Sequence, residues 1–312
     1  YNYRIYNYLV FKDMNNIFKI LSILIISINY FAISKAQEIP SSFADLAEKL
    51  MPSVVNISTT TTVTTRSNPL PFEFPPGSPF EDMFGSPQQR QTSALGSGFI
   101  IDEEGIVITN NHVIQGASDI FVRVNGDEDY KAKVLGADAG MDIAVLKIKS
   151  DEKFKPVKFG NSDKSRIGDW VIAIGNPFGL GGTVTAGIIS ARNRSIGLSR
   201  YEDYIQTDAS INQGNSGGPL FNMNGDVIGI NTAILGQSGS IGIGFAIPSN
   251  SAQKVIEQLI EFGETKRGWL GVRIQVVDQG IADAEKLDKP RGALVASVAD
   301  NSPSDKGGIK PG

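Results

Sequence analysis

The sequence predicts an all-β protein, and three observations carry that expectation. Short runs of β-branched and aromatic residues recur along the chain. Turn residues separate them at close spacing, among them Asp102-Glu103-Glu104-Gly105 and Asn125-Gly126. Glycine occurs 34 times in 312 residues, as short strands and tight turns require. The spacing points to antiparallel barrels or sandwiches. The length allows one large domain or two ordinary ones, and a hydrophobic content of 41% suits a real core.

The first 36 residues read as a segment to be removed. Tyr1 to Asp13 is assigned no function, and Met14 reads as the true start. Lys19, the apolar run Ile20 to Ile28, and Ser34-Lys35-Ala36 follow the layout of a secretory signal, with cleavage expected after Ala36. A membrane anchor is the competing reading. The run contains Ser22, Ser27 and Asn29, and it is short against the ~20 apolar residues that a spanning helix needs. Contact with a membrane is therefore expected only in transit. Removing Arg4, Lys12, Asp13, Lys19 and Lys35 takes a net +3 from the formal charge of −4 and leaves −7, a soluble acidic exported protein.

Phe43, Leu46, Ala47 and Leu50 follow helical spacing, with Ser42 as N-cap and Pro52 as terminator. Val54 to Thr60 reads as a strand. Residues 66–94 break the pattern with Pro69, Pro71, Pro75, Pro76, Pro79 and Pro87, yet Phe72, Phe74, Phe80, Met83 and Phe84 are unusual for an inert linker. A first series of strands is expected at Phe99–Ile101, Ile106–Thr109, Ile120–Val124, Lys131–Ala137 and Ile143–Ile148. A second is expected at Val157–Phe159, Trp170–Gly175, Val184–Ala191, Tyr204–Thr207, Pro219–Phe221, Val227–Ala233 and Gly242–Ile247. Ser249 to Phe262 reads as a helix with an apolar face at Ala252, Val255, Ile256, Leu259 and Ile260. Glu264 to Arg267, charged and flanked by glycines, reads as a linker before a new unit at residues 268–312.

Composition excludes several chemistries. Cysteine is absent, so there is no disulfide, thiolate metal site or Cys nucleophile. His112 is the only histidine, which excludes a multi-histidine zinc site. No basic block suggests nucleic acid, and no metal or cofactor is implied.

What remains is a serine in a glycine setting, Gly214-Asn215-Ser216-Gly217-Gly218-Pro219. A serine hydroxyl needs a base to take its proton and donors to hold the oxyanion. Small neighbours let a substrate backbone come close, and the backbone amides of Gly214, Asn215 and Ser216 are candidates for an oxyanion hole. A plain Gly-rich turn is the bland alternative. His112, within Thr109-Asn110-Asn111-His112-Val113-Ile114, is the only candidate base. Asp142, directly before the strand Ile143–Ile148, is the candidate that would orient it; Asp138 is a nearby rival. The order His, Asp, Ser is that of chymotrypsin-type proteases and not of subtilisins or α/β-hydrolases.

These motifs closely resemble the HtrA (Deg/Do-type) family of serine proteases, and the resemblance runs from about Ser41 to the C-terminus. It implies a chymotrypsin-like double six-stranded β-barrel protease domain over 37–263, with the triad at the seam, a long regulatory loop at about 66–94, and an incomplete PDZ domain. It implies catalysis by His112, Asp142 and Ser216 on unfolded polypeptides in the periplasm, by a homotrimer or larger homo-oligomer. A substrate chain would pair near Asn231 to Ala233. Its pocket would be walled by Ile211 and by Thr232, Ala233, Ile234, Leu235 and Gly236. Ser210 stands six before Ser216, where trypsin-like enzymes carry their specificity aspartate, so cleavage after small aliphatic residues is expected. Asp208 reads as structural. In the PDZ part, Leu270, Gly271, Val272, Arg273 and Ile274 would form the carboxylate loop. The alternatives are a holdase chaperone or peptide-binding scaffold with little proteolysis and, more weakly, an esterase.

Overall fold

The computed structural model describes residues 40–65, 88–126, 128–151, 153–176, 182–197, 201–212, 214–234 and 241–312. The expected signal segment and most of the expected 66–94 loop lie outside them. Two compact units divide the chain, Tyr1–Leu46 and Ala47–Gly312, and every sheet among the described residues lies in the second. No helix among the described residues is long and apolar enough to cross a membrane.

Helix α1 (Ala44–Leu50) starts beside Ser42, whose hydroxyl accepts the Ala44 N–H at 3.1 Å. The chain then tightens into a 3-10 turn, Met51–Ser53, with Pro52 inside its first positions, where a missing N–H costs nothing. A sheet of seven antiparallel strands follows: β1 (Val54–Thr65), β2 (Gln88–Ile100), β3 (Ile106–Thr109), β4 (Asp119–Val124), β5 (Glu128–Lys131), β6 (Lys133–Asp138) and β7 (Ile143–Lys147). Its order is β5-β4-β1-β2-β3-β7-β6.

This sheet differs from the expected closed six-stranded barrel in two ways. The run expected as one strand, Lys131–Ala137, breaks at Ala132, whose N–H turns back to Ile120 O at 2.9 Å. The sheet therefore gains a strand and leaves β5 and β6 as its two unjoined edges. The hairpin β1–β2 is also longer than expected. It pairs in register to Thr65 and Gln88, so residues 88–94 are strand and not loop. The β-branched run after Ser58 continues the ladder across from Gln88 to Leu95.

The second sheet closes. Strands β8 (Trp170–Gly175), β9 (Thr183–Arg194), β10 (Tyr204–Thr207), β11 (Pro219–Asn222), β12 (Val227–Ile234) and β13 (Gly244–Pro248) form a barrel in the order β10-β13-β12-β11-β8-β9. The expected strand Val157–Phe159 is only an isolated parallel bridge between Phe159 and Val227. Each of these two sheets has its own apolar core. One gathers Ile57, Ile100, Val122, Leu146 and Ile148; the other gathers Val171, Ile189, Ile205, Leu220 and Ile228.

One-turn helix α2 (Asn111–Ile114) follows β3. Helix α3 (Ser249–Phe262) has the predicted bounds and packs on β6 and β7 of one sheet and on β12 and β13 of the other. Its Ala252, Val255, Ile256 and Leu259 are buried at positions i, i+3, i+4 and i+7, and each large one contributes on the order of 2 kcal/mol. Ile260 lies outside that stripe and is 41% exposed. Gly263 ends the helix in the left-handed region (φ 76°), its N–H reaching Leu259 O at 3.1 Å.

Beyond it, β14 (Val272–Val276) and β15 (Ala293–Val298) form a two-stranded sheet with helices α4 (Gln279–Ala284) and α5 (Pro303–Lys306). Trp269, Leu270, Ile274 and Val276 are exposed there.

Candidate active site

The site is assembled from the ends of elements in both sheets. β3 ends at Thr109 and Asn110 follows it, both buried, and α2 presents His112 two residues later. Asp142 closes the turn before β7 in a left-handed conformation (φ 56°), which short polar side chains tolerate better than others. The Asn110 side chain holds that turn by donating to Asp142 O at 2.8 Å.

The Asp142 carboxylate is fully engaged. Oδ1 accepts the His112 backbone N–H at 2.9 Å, and Oδ2 lies 2.7 Å from His112 Nδ1. Oδ2 also accepts the Thr232 hydroxyl at 2.6 Å, which reaches it from β12 of the closed barrel. Two contacts with one residue fix both the position of the imidazole and the direction of its ring. The pairing leaves Nε2 as the nitrogen able to take a proton. His112 is exposed, so this nitrogen is open to a reacting group.

Ser216 sits in the turn between residues 212 and 218, partly exposed. The turn is held at several points. Asn215 N–H donates to Asn212 O at 3.2 Å, and the Asn215 side chain accepts from Asn212 N–H at 2.9 Å and donates to Ser210 O at 3.0 Å. Gly217 N–H and Asn231 N–H exchange bonds with Asn231 O and Gly218 O, at 2.8 and 2.9 Å. Gly217 has φ 83°, and a Cβ there would lie 2.3 Å from Ser97 O and 2.4 Å from Thr109 Oγ1. Only glycine satisfies both conditions.

The expected oxyanion donors divide. Asn215 N–H is committed to Asn212 O and is removed from the set. The Gly214 and Ser216 amides make no hydrogen bond among the described residues. No hydrogen bond joins the Ser216 hydroxyl to His112 among those residues either; such contacts are often long until a substrate is bound.

The expected pocket residues also divide. Ile211 is wholly buried in the core of the closed barrel, so it is packing and not an exposed wall. Asn231 is buried, its side chain donating to Pro219 O at 3.2 Å. Thr232 turns to Asp142. Ala233 and Ile234 lie in β12, while Leu235 and Gly236 fall outside the described residues. Asp208 accepts the Ile188 N–H at 2.7 Å, a strand-end role. In the C-terminal unit, Leu270 O and Gly271 O accept from Ser304 and Ala299, at 3.1 and 2.8 Å. Val272, Arg273 and Ile274 pair with β15, and the other edge of β14 has no strand partner among the described residues.

Asp138, the rival carboxylate, belongs elsewhere. It is buried and accepts from Arg267 at 2.6 Å, from the Met141 N–H at 2.7 Å and from the Thr265 hydroxyl. Burial opposes its ionisation, but these hydrogen bonds outweigh it and hold the carboxyl below its usual range. Arg267 also lies over the Tyr201 ring, 4.4 Å from its centre. Two residues of the expected linker are thus anchored to the turn that ends in Asp142.

The family profile described as Trypsin-like peptidase domain matches residues 96–230. A probable periplasmic serine endoprotease DegP-like of Marinomonas sp. (strain MWYL1) is 46% identical over 316 residues, covering 96% of this chain and 67% of its own. The protein of the same description from Brucella suis biovar 1 (strain 1330) is 45% identical over 304 residues, covering 87% and 59%. The chain thus spans between 59% and 67% of these relatives' length. Among solved structures, the HtrA-type protease AlgW with decapeptide has a TM-score of 0.69 at 43% identity, covering 86% of this chain and 83% of that one. The fold, the peptidase profile and these likenesses agree: the chain belongs to the HtrA-type, DegP-like family of serine endoproteases.

Proposed function

We propose that this chain carries the protease domain of an exported serine endopeptidase that hydrolyses unfolded polypeptides. The observation that carries the reading is the Asp142 carboxylate, which grips His112 at both its backbone N–H and its Nδ1. In the proposed reaction the Ser216 Oγ attacks the scissile carbonyl carbon while His112 Nε2 takes its proton. The oxyanion is held by the amides of Gly214 and Ser216. His112 then gives its proton to the leaving amine, and an acyl-enzyme remains on Ser216. Water repeats the sequence and releases the acid. Asp142 stays ionised and stabilises the imidazolium.

The rest of the proposal follows the family. The relatives are named periplasmic, which supports export to that compartment. We keep a protease domain at 37–263, a linker at 264–267, a partial PDZ unit at 268–312 and a homotrimer or larger assembly as parts of the reading. Cleavage after Val or Ala rests on the lack of an acid at Ser210 and on the apolar run Ala233-Ile234-Leu235. A buried Lys or Arg there would bear an unpaired desolvation cost.

The test is casein turnover by the mature protein beside Ser216→Ala. The variant keeps its fold but loses cleavage and fluorophosphonate labelling. Labelling that persists in it identifies another nucleophile. Mass spectrometry of the digest tests specificity: a majority of cuts after Lys, Arg or aromatic residues refutes the pocket and leaves the triad standing.

A further inference from the structure

We propose that Ser97 is a positioning residue for the hydrolysis, clamping the turn that carries the nucleophile onto the first sheet. The proposal rests on reading Ser216 as nucleophile and its N–H as an oxyanion donor. Ser97 lies in β2, wholly buried, and each of its polar atoms is bonded. Its N–H donates to Ser216 O at 2.9 Å. Its hydroxyl donates to Gly214 O and accepts the Asn176 N–H at 2.8 Å. Its carbonyl accepts the Thr109 hydroxyl at 2.8 Å.

The two bonds to the turn fall on either side of one peptide. Gly214 O and Ser216 O flank the 215–216 unit, whose N–H is that of Ser216. With its neighbours pinned on both sides, the two Cα atoms that bound the unit are held in place, and its own carbonyl, Asn215 O, accepts the Gly218 N–H at 3.0 Å, a bond that rotation of the unit would break. An oxyanion donor works because its direction is set before charge develops, and Ser97 sets it from outside the turn. Asn215, by contrast, ties the turn only within its own stretch of chain, at Ser210 and Asn212 through its side chain and at Gly218 through its carbonyl. The Ser97 hydroxyl also links the turn to Asn176 at the end of β8, whose carbonyl accepts from Asn56 at 2.9 Å. Glycines clear the space for this approach. A Cβ on Gly217 would lie 2.3 Å from Ser97 O, and one on Gly175 would lie 3.1 Å from its Oγ.

The test is steady-state cleavage of casein by the whole chain carrying Ser97→Ala, with each rate divided by the folded fraction from circular dichroism. A kcat lower by about tenfold is expected, with KM within about twofold, milder than the ~10²–10³ lost with a donor itself. Labelling of Ser216 by a fluorophosphonate slows in parallel. Ser97→Cys keeps the size and a weak S–H donor, and recovers part of the rate. Ser162→Ala, which removes another buried serine hydroxyl, bonded to Asn250 N–H at 3.2 Å, keeps the parental kcat. A Ser97→Ala kcat equal to that of the parent overturns the proposal, as does a loss confined to KM or one matched by Ser162→Ala. If Ser97→Ala does not fold, Ser97→Cys decides: reduced kcat at unchanged KM supports the clamp, and parental kcat overturns it. Ser216→Ala separates the two readings. Labelling that survives there overturns the nucleophile assignment and this proposal with it; an inert Ser216→Ala beside a fully active Ser97→Ala overturns the clamp alone.

Discussion

Asp142→Asn tests the triad in a way the geometry makes specific. The carboxylate accepts three hydrogen bonds, one on Oδ1 and two on Oδ2. An amide has one acceptor oxygen and one donor nitrogen. If the oxygen stays at Oδ1 to accept the His112 backbone N–H, the NH2 faces Nδ1 and Thr232. The Thr232 hydroxyl can turn and accept, but Nδ1 must then also accept, so the imidazole proton moves to Nε2. A protonated Nε2 cannot take the Ser216 proton. If the amide flips, its NH2 meets the His112 backbone N–H, donor against donor, so the first orientation is preferred. The fold is therefore kept, and the base is held in the wrong tautomer. The expected loss is about 10⁴ in kcat, as for the equivalent change in a serine protease of this type, or about 5.5 kcal/mol at 1.36 kcal/mol per decade. The assay is casein cleavage with thermal unfolding of the same samples. A variant within tenfold of the parental kcat, at an unchanged melting temperature, would refute the role given to Asp142.

Other outcomes follow from the same contacts. Thr232→Val removes one donor to a carboxylate that is 24% exposed; water replaces part of it, and kcat falls about fivefold, about 1 kcal/mol of the 1.5–3 usual for a charged acceptor. An unchanged rate would mean that the link from β12 does not orient the acid. Gly217→Ala forces a Cβ against the Ser97 carbonyl at a left-handed backbone, so the melting temperature should fall by at least about 4 °C; an unshifted melt would contradict that packing. Arg267→Ala leaves Asp138 buried with fewer donors and should cost about 1–2 kcal/mol, discounted for the partial exposure of Arg267. Because the folded-state carboxyl of Asp138 lies below its unfolded value, its contribution is present above pH ~4 and is lost as pH falls through the lower folded value. Denaturant melts of the parent and of Arg267→Ala between pH 3 and 6 check this, and a gap that stays constant on acidification would refute it.

Much of the fold and the outline of the site were legible in the sequence because they rest on local chemistry. Alternating β-branched runs and turn residues located most strands, and apolar spacing with Gly263 at its end set the bounds of α3. A single histidine left one candidate base, and the glycine run around Ser216 marked a close backbone approach. Long-range partners could not be read the same way. The break at Ala132 depends on a hydrogen bond to Ile120, and the extension of β2 to Gln88 depends on a partner strand rather than on its own polar residues. Thr232 looked like a pocket residue because it lies in the strand expected to pair with substrate; its hydroxyl instead crosses the seam to Asp142, 90 positions away. Ile211 reads as a wall by position and is core by burial. Ser97 carried no signal at all, since one serine between two glycines resembles any tight turn. Sequence determined which chemical groups are present and where most of the strands lie. Only the tertiary structure, by pairing β3 with β7 and packing one sheet against the other, decided which donor meets which acceptor, because those pairs lie 30 to 120 residues apart and no local periodicity records them.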